Sequence, residues 1–234
     1  MKNPQIKATK TAILLFAYSK EVQLANKQLS EFKENNKILW DNIYAHKIKT
    51  IQKTNLPFFL SNENNQVGVS FGQKLNHSIQ EVFNQGFDKV IVVGNDCLSL
   101  TEKDLLNASS LLQKNDFILG KDFNGGAYLL GVSKDKYNSQ DFENLSWQTK
   151  KLYIEIHSLF CKNKLRLLSS KADFNNQFQF QKALDKLSFS SFLKKILSAL
   201  FHNKNQIFEW FNVEVEVVSL SINFNKGPPL LNCL

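Results

Sequence analysis

The sequence predicts an α/β fold, a mostly parallel sheet with helices on both faces, on three grounds. Short apolar runs of strand length alternate with stretches of helical periodicity as far as about residue 170. The run Lys89–Val93 is apolar throughout after its first residue, as expected of a strand covered on both faces. The chain has 234 residues, 43% hydrophobic and 21% charged, enough for one large domain with a full core.

Residues 11–17 (TAILLFA) read as the first strand. Residues 21–34 and 40–54 read as helices, the second with Ile43, Ile48 and Ile51 at helical spacing. Residues 56–60 (LPFFL) form a second strand, with Pro57 at its start or at a sheet edge, because proline donates no ladder hydrogen bond. A polar loop follows at 61–66. Residues 71–85 are a helix with Leu75, Ile79, Val82 and Phe83 on one face, and Gly86 suits its end. Beyond Lys89–Val93, Thr101 with Asp104 three residues on marks an N-cap ahead of Leu105, Ala108 and Leu112. Residues 116–119, 127–132 and 165–168 complete the strands. Ser146 reads as the cap of a helix over 147–161, and 178–187 as a further helix.

The last stretch has a different texture. Residues 188–201 place Phe192, Leu193, Ile196, Leu197 and Leu200 at helical spacing, with Lys194 and Lys195 opposite. That pattern suits a helix packed on the domain's own core, or an interfacial membrane helix. Residues 213–224 alternate as a half-buried strand that Gly227 and the following prolines stop. The expected organisation is a domain over 1–187 with a helix–strand appendage packed on it over 188–234.

The 29 basic and 21 acidic residues give a net charge of +8, but only Arg166 is an arginine. Paired recognition of phosphates and guanine edges favours arginine's planar fork, so no dedicated nucleic-acid binding is expected. Cys97, Cys161 and Cys233 are far apart and lack the spacing of a zinc site, which points to a reduced, cytoplasmic setting and a structural Cys97. His46, His77, His157 and His202 likewise lack ligand spacing. Residues 12–17 are too short for a signal-peptide core, and no stretch nears the roughly 18 apolar residues of a membrane span.

Three segments can carry chemistry. At the end of Lys89–Val93 stands Gly94-Asn95-Asp96-Cys97. Ligands of open α/β sheets bind beyond the carboxyl ends of strands, where an Asp can hold a divalent cation or simply cap the next turn. Lys121-Asp122-Phe123-Asn124-Gly125-Gly126 lies between two strands, as a tight hairpin turn or a ligand-binding loop. Gly68 and Gly72, with Lys74, open a helix, whose N-terminus attracts phosphate.

In this order the segments QVGVSFGQKL, VIVVGNDCLSLTEKDLLNA and FILGKDFNGGAYLLGV resemble the DUF2064 family, also labelled transferase 1 associated with radical-SAM and selenoprotein domains. The resemblance spans roughly residues 11–170, and Ser146-Trp147-Gln148-Thr149 resembles a helix start of some members. It implies a Rossmann-like GT-A fold of nucleotide-diphospho-sugar transferases. It also implies Mg²⁺ or Mn²⁺ on Asp96, which matches the family's Asp; Asp96 is a catalytic candidate, and so is Asp122, which could compensate for Asn124 two residues on if the loop geometry differs. Gly68, Gly72, Lys74, Gly94, Gly125 and Gly126 match family positions and are nucleotide- or substrate-binding candidates, together with Asn95, Lys121 and Asn124 in the same segments. Glycosyl or nucleotidyl transfer is the implied activity, and a nucleotide or nucleotide-sugar the implied ligand.

The chain also departs from the family pattern. The basic loop expected after the first strand is replaced by Tyr18-Ser19-Lys20-Glu21, leaving Lys20 or Lys27 as substitutes. The family's proline after its Asp is Leu98, and its second Asp is Asn124, an amide that brings no charge. A catalytically inactive relative serving as a binding or scaffolding module is therefore the alternative expectation.

Overall fold

The computed structural model describes residues 10–160, 164–188 and 191–202. Six strands form one sheet: β1 (Thr11–Phe16), β2 (Phe58–Ser61), β3 (Lys89–Val93), β4 (Phe117–Asp122), β5 (Ala127–Ser133) and β6 (Leu165–Lys171), in the order β2-β1-β3-β5-β4-β6. The β1–β2, β1–β3 and β4–β6 pairs are parallel, whereas β5 runs antiparallel to both β3 and β4. The reversal follows from chain length, because only residues 123–126 join β4 to β5 and a parallel crossover needs a dozen residues or more. Pro57 directly precedes β2, which is an edge strand, as its missing N–H requires.

Eight helices complete the described chain: α1 (Lys20–Asn26), α2 (Lys33–Gln52), α3 (Phe71–Asn84), α4 (Glu102–Leu112), α5 (Ser139–Glu143), α6 (Leu152–Phe160), α7 (Gln177–Asp185) and α8 (Phe192–His202). Alternation along the strands divides the core between the sheet's two faces. Ala12, Leu14, Val90, Val92, Phe117 and Leu119 pack with Leu75, Ile79 and Phe83 of α3, Phe142 of α5 and Ile156 of α6. Ile13, Leu15, Ile91, Val93 and Ile118 face Ile51 of α2 and Leu105, Ala108 and Leu112 of α4. Helices thus cover both faces.

A third cluster joins the α1–α2 region to the later helices: Leu29, Trp40 and Ile43 meet Phe174, Phe180 and Leu184, with Leu193, Ile196, Leu197 and Leu200 of α8. Of the apolar stripe expected over 188–201, Leu193, Ile196, Leu197 and Leu200 are buried here and Phe192 is exposed. The strand expected over 213–224 lies outside the described residues.

Two helix expectations need correction. The helix expected over 21–34 ends at Asn26, and α2 begins at Lys33 instead of residue 40. The break is held by Asn36, whose Oδ1 accepts the N–H groups of Leu29 (2.7 Å) and Ser30 (2.9 Å), and whose amide donates to Phe32 O. Leu29, at this break, is completely buried. The helix expected from residue 147 starts only at Leu152. Gln148 has φ 62°, outside the helical region, and Ser146 gives its N–H and hydroxyl to the Glu155 carboxylate. Those two donors hold Glu155 below the usual carboxylate range. Residues 146–151 become a loop instead, and that loop borders the site.

Candidate functional site

A cleft of about 540 Å³ opens beyond the carboxyl ends of β1, β3 and β4. Phe16, Phe71, Leu75, Val92, Leu130 and Leu152 contribute its apolar surface, and Gly94 and Asp96 enter from the segment after β3. Asp122, Asn124 and Gly126 enter from the β4–β5 hairpin, Trp147 to Lys150 from the loop before α6, Asp173 and Asn175 from the β6–α7 connection, and Gln179 from the first turn of α7. Three carboxylates thus share one cleft: Asp96, Asp122 and Asp173.

Their surroundings differ. Asp122 is buried, and its Oδ1 accepts the N–H groups of Asn124 and Gly126, each at 2.7 Å. The hairpin and the site are therefore one object, a turn folded around a carboxylate. Two glycines make it sterically feasible. Gly125 has φ 93°, and a Cβ there would lie 2.7 Å from Lys150 O; a Cβ at Gly126 would lie 2.7 Å from Asp122 Oδ2.

Asp96 follows β3 and meets Lys27 Nζ at 2.8 Å, an ion contact whose ammonium also donates to Phe174 O at 3.2 Å. Lys27 lies against the rings of Phe174 (5.3 Å) and Trp40 (5.9 Å), so its position is fixed from three sides. Of the two substitutes for the missing basic loop, Lys27 reaches Asp96, whereas Lys20 pairs with Asp41 at 3.0 Å.

Asp173 has no such compensation. Its Oδ1 is buried without a hydrogen-bond partner among the described residues. Burial, then the negative charges of Asp96 and Asp122, push its carboxyl well above the usual carboxylate range, with Lys47 and Lys27 opposing. Lys47 is fully buried behind the site and donates to Cys97 O at 2.8 Å; burial depresses its ammonium, and Cys97, Asp173 and Asp96 pull the other way. Burial also raises the Cys97 thiol, which makes it a poor nucleophile, in keeping with a structural role.

Of the residues singled out in the sequence, Asp96, Asp122, Gly94, Asn124 and Gly126 line the cleft. Gly125 acts one step back, through its fit to Lys150. Gly68, Gly72 and Lys74 are not brought to the cleft surface. Ser70 caps α3 in a reciprocal pair with Gln73, and a Cβ on Gly72 would strike Glu143 O and the Trp147 ring, so this segment serves packing. Lys121 lies over the Tyr153 ring at 4.4 Å, and Asn95 is buried off the cleft surface. Asp173, Gln148, Asn175, Gln179 and Lys47 were not singled out. For Lys47 a signal existed: it shares an α2 face with Ile43 and Ile51 at i+4 steps, an odd place for a lysine.

Mg²⁺ needs only one or two carboxylates beside water and phosphate oxygens. Among the described residues no group of three or more His, Cys, Asp or Glu side chains is arranged to hold a metal ion. Asp96 with the unpartnered Asp173 Oδ1 fits the smaller requirement, whereas Asp122 already gives its Oδ1 to two backbone N–H groups and has only Oδ2 to offer.

Residues 52–149 match the family described as "Uncharacterized protein conserved in bacteria (DUF2064)". The resemblance to DUF2064 holds over that stretch, which contains Asp96, Asp122 and the hairpin glycines. No curated protein matches the chain. A crystal structure from Desulfovibrio desulfuricans G20, provisionally called a nucleotide-diphospho-sugar transferase, superposes with a TM-score of 0.70 at 18% identity, covering 82% of this chain and 97% of that one. The fold is therefore the Rossmann-like one of nucleotide-diphospho-sugar transferases. A homologue of Mycobacterium tuberculosis rv0371c from Mycobacterium sp. strain JC1 (TM-score 0.47, 11% identity, covering 80% and 97%) is more distant. So is Rv0371C of M. tuberculosis H37Rv in complex with manganese (0.45, 10%, covering 76% and 100%). Among the described residues no helix is long and apolar enough to cross a membrane.

Proposed function

We propose that the chain binds a nucleotide or nucleotide-sugar together with Mg²⁺ or Mn²⁺ and transfers a glycosyl or nucleotidyl group from a nucleoside-diphosphate-type donor. The observation that carries this reading is the meeting of Asp96 and Asp173 in one cleft, with Asp173 Oδ1 buried and unpartnered beside like charges. Asp96 and Asp173 would hold the cation, which when bound would neutralise the charge of a diphosphate. The chain's own residues do the rest. Lys27 fixes Asp96 from the side of α1, while Asp122 shapes the hairpin that presents Asn124 and Gly126 to the ligand. Gly94 leaves room for close approach, and Phe16, Phe71 and Leu130 keep water from the apolar side. Gly68, Gly72, Lys74, Asn95, Lys121 and Gly125 support the site from behind. A cytoplasmic setting suits the free thiol of Cys97.

One observation favours a second reading. The Lys27 ammonium already compensates Asp96, and the hairpin carries the uncharged Asn124, so a non-catalytic binding module on the same fold is the alternative. Thermal unfolding against a panel of nucleotides and nucleotide-sugars, with and without Mn²⁺, tests ligand binding. A ligand at about 100 times its dissociation constant stabilises the fold by about 2.7 kcal/mol. A Mn²⁺-dependent rise with at least one ligand, lost on Asp96→Ala, is expected. A flat response across the panel overturns the proposal, and binding without turnover selects the non-catalytic module.

A further inference from the structure

The lining of the cleft is divided by chemistry. Its three carboxylates stand against a neutral set formed by Asn124, Gln148, Thr149, Asn175 and Gln179. The side-chain amides of Asn124, Gln148 and Asn175 make no hydrogen bond among the described residues, and Gln179 uses only its Oε1, on the Asn175 N–H at 2.8 Å. The carboxamides of Asn124, Gln148 and Asn175 each offer a donor and an acceptor, and Gln179 keeps its amide N–H groups. Gln148 is held there at a cost, with φ 62° in the left-handed region. The residue before it is fixed by its indole N–H on Phe142 O at 2.7 Å and by the tight approach of Gly72.

Positive charge is scarce on the same surface. Among the described residues Lys150 is the one cation of the lining, against three carboxylates. The lysines flanking the hairpin and α7 are turned onto rings: Lys186 over Phe123 at 4.0 Å, Lys182 over Phe178 at 4.2 Å and Lys121 over Tyr153. A phosphorylated acceptor would find no lining side-chain cation but Lys150, since the Lys27 ammonium behind the surface is already paired with Asp96. The hydroxyls of a neutral sugar can donate to carboxylates and exchange hydrogen bonds with amides.

We propose that the carboxamide-lined part of the cleft is a subsite for a neutral, hydroxyl-rich sugar and not for a sugar phosphate. This rests on the transferase reading and narrows it, because nucleotidyl transfer to a sugar phosphate would need an anion here, whereas glycosyl transfer needs hydroxyl groups. A site built to hydrogen-bond hydroxyls also discriminates strongly against analogues that lack them.

The test is nuclear magnetic resonance of the full chain, observing the side-chain amide signals of Asn124, Gln148 and Asn175. Methyl glucoside, galactoside, mannoside and N-acetylglucosaminide are titrated beside the corresponding sugar 1-phosphates, with UDP and Mn²⁺ absent and then present. The expected result is a shift of these signals by at least one neutral glycoside, little affected by salt, with its sugar phosphate at least about tenfold weaker. Gln148→Ala and Asn175→Ala, both at exposed positions, should each weaken the response while keeping a dispersed backbone spectrum. Failure of every glycoside to move these signals overturns the proposal, as does a sugar phosphate that binds as tightly as the glycoside. Failure of UDP with Mn²⁺ to bind, with the glycoside shifts intact, counts against the transferase reading and leaves the subsite standing.

Discussion

Asp122 in the β4–β5 hairpin and Asp173 in the β6–α7 connection both border the cleft, yet they are held in opposite ways. Asp122 has the turn built around it, with two backbone N–H groups at 2.7 Å on one oxygen. Asp173 has a buried oxygen with no partner and a carboxyl pushed far up by burial and by its acidic neighbours. A carboxylate satisfied by main-chain donors is part of the fold. One left unsatisfied beside like charges is a cost that a ligand or cation can relieve.

The largest effect should come from the satisfied member. Asp122→Ala removes two charge-assisted acceptor bonds from a tight turn and should cost about 2–4 kcal/mol in urea unfolding. A loss no larger than that of an exposed control substitution would break the contrast.

Asp173 should behave oppositely. Its folded-state carboxyl is raised, so the native chain holds that proton more tightly than the unfolded one. The native state is favoured while Asp173 is protonated, and that advantage is lost as pH climbs from the unfolded value through the folded one. Without divalent cations, Asp173→Asn should therefore raise stability at neutral pH and flatten this part of the pH profile. Equal or lower stability of the variant at neutral pH would contradict the account.

Lys27→Met sharpens the comparison at Asp96. With the competing ammonium gone, Mn²⁺ affinity measured by water-proton relaxation should rise, by up to about tenfold. The smallest effect is remote from the cleft. Burial tends to raise the Asp104 carboxyl, but the Thr101 side chain and the Lys171 ammonium, 3.0 Å away, more than offset this and hold it low. Asp104→Ala should cost about 1 kcal/mol at pH 7. A depressed carboxyl stabilises above its unfolded value, so the difference should shrink as pH falls through the folded one.

Legibility in the sequence tracked how local each cause is. The strand Lys89–Val93 and the Thr101 cap were plain because adjacent residues determine them. Gly86 takes the positive φ of 87° that its position implied. The reversal of β5 was implicit in the short β4–β5 link, but which strands it lies between is decided by pairing across the whole sheet. The helix expected at 147–161 lost residues 147–151 to the bonds of Ser146 with Glu155, nine residues on, and to Gln148, which no periodicity reveals. Asp96 and Asp122 stood beside glycines at strand ends and could be singled out. Asp173 carries no such mark: its significance arises only when β6 delivers it beside two carboxylates distant in sequence.

Mn²⁺ binding followed by electron paramagnetic resonance, with a nucleoside diphosphate present, tests the central claim most directly. One tightly held ion in the unaltered chain, lost in both Asp96→Ala and Asp173→Ala, is the predicted result. No bound ion, or binding indifferent to both substitutions, would contradict the assignment of Asp96 and Asp173 as the cation-holding pair.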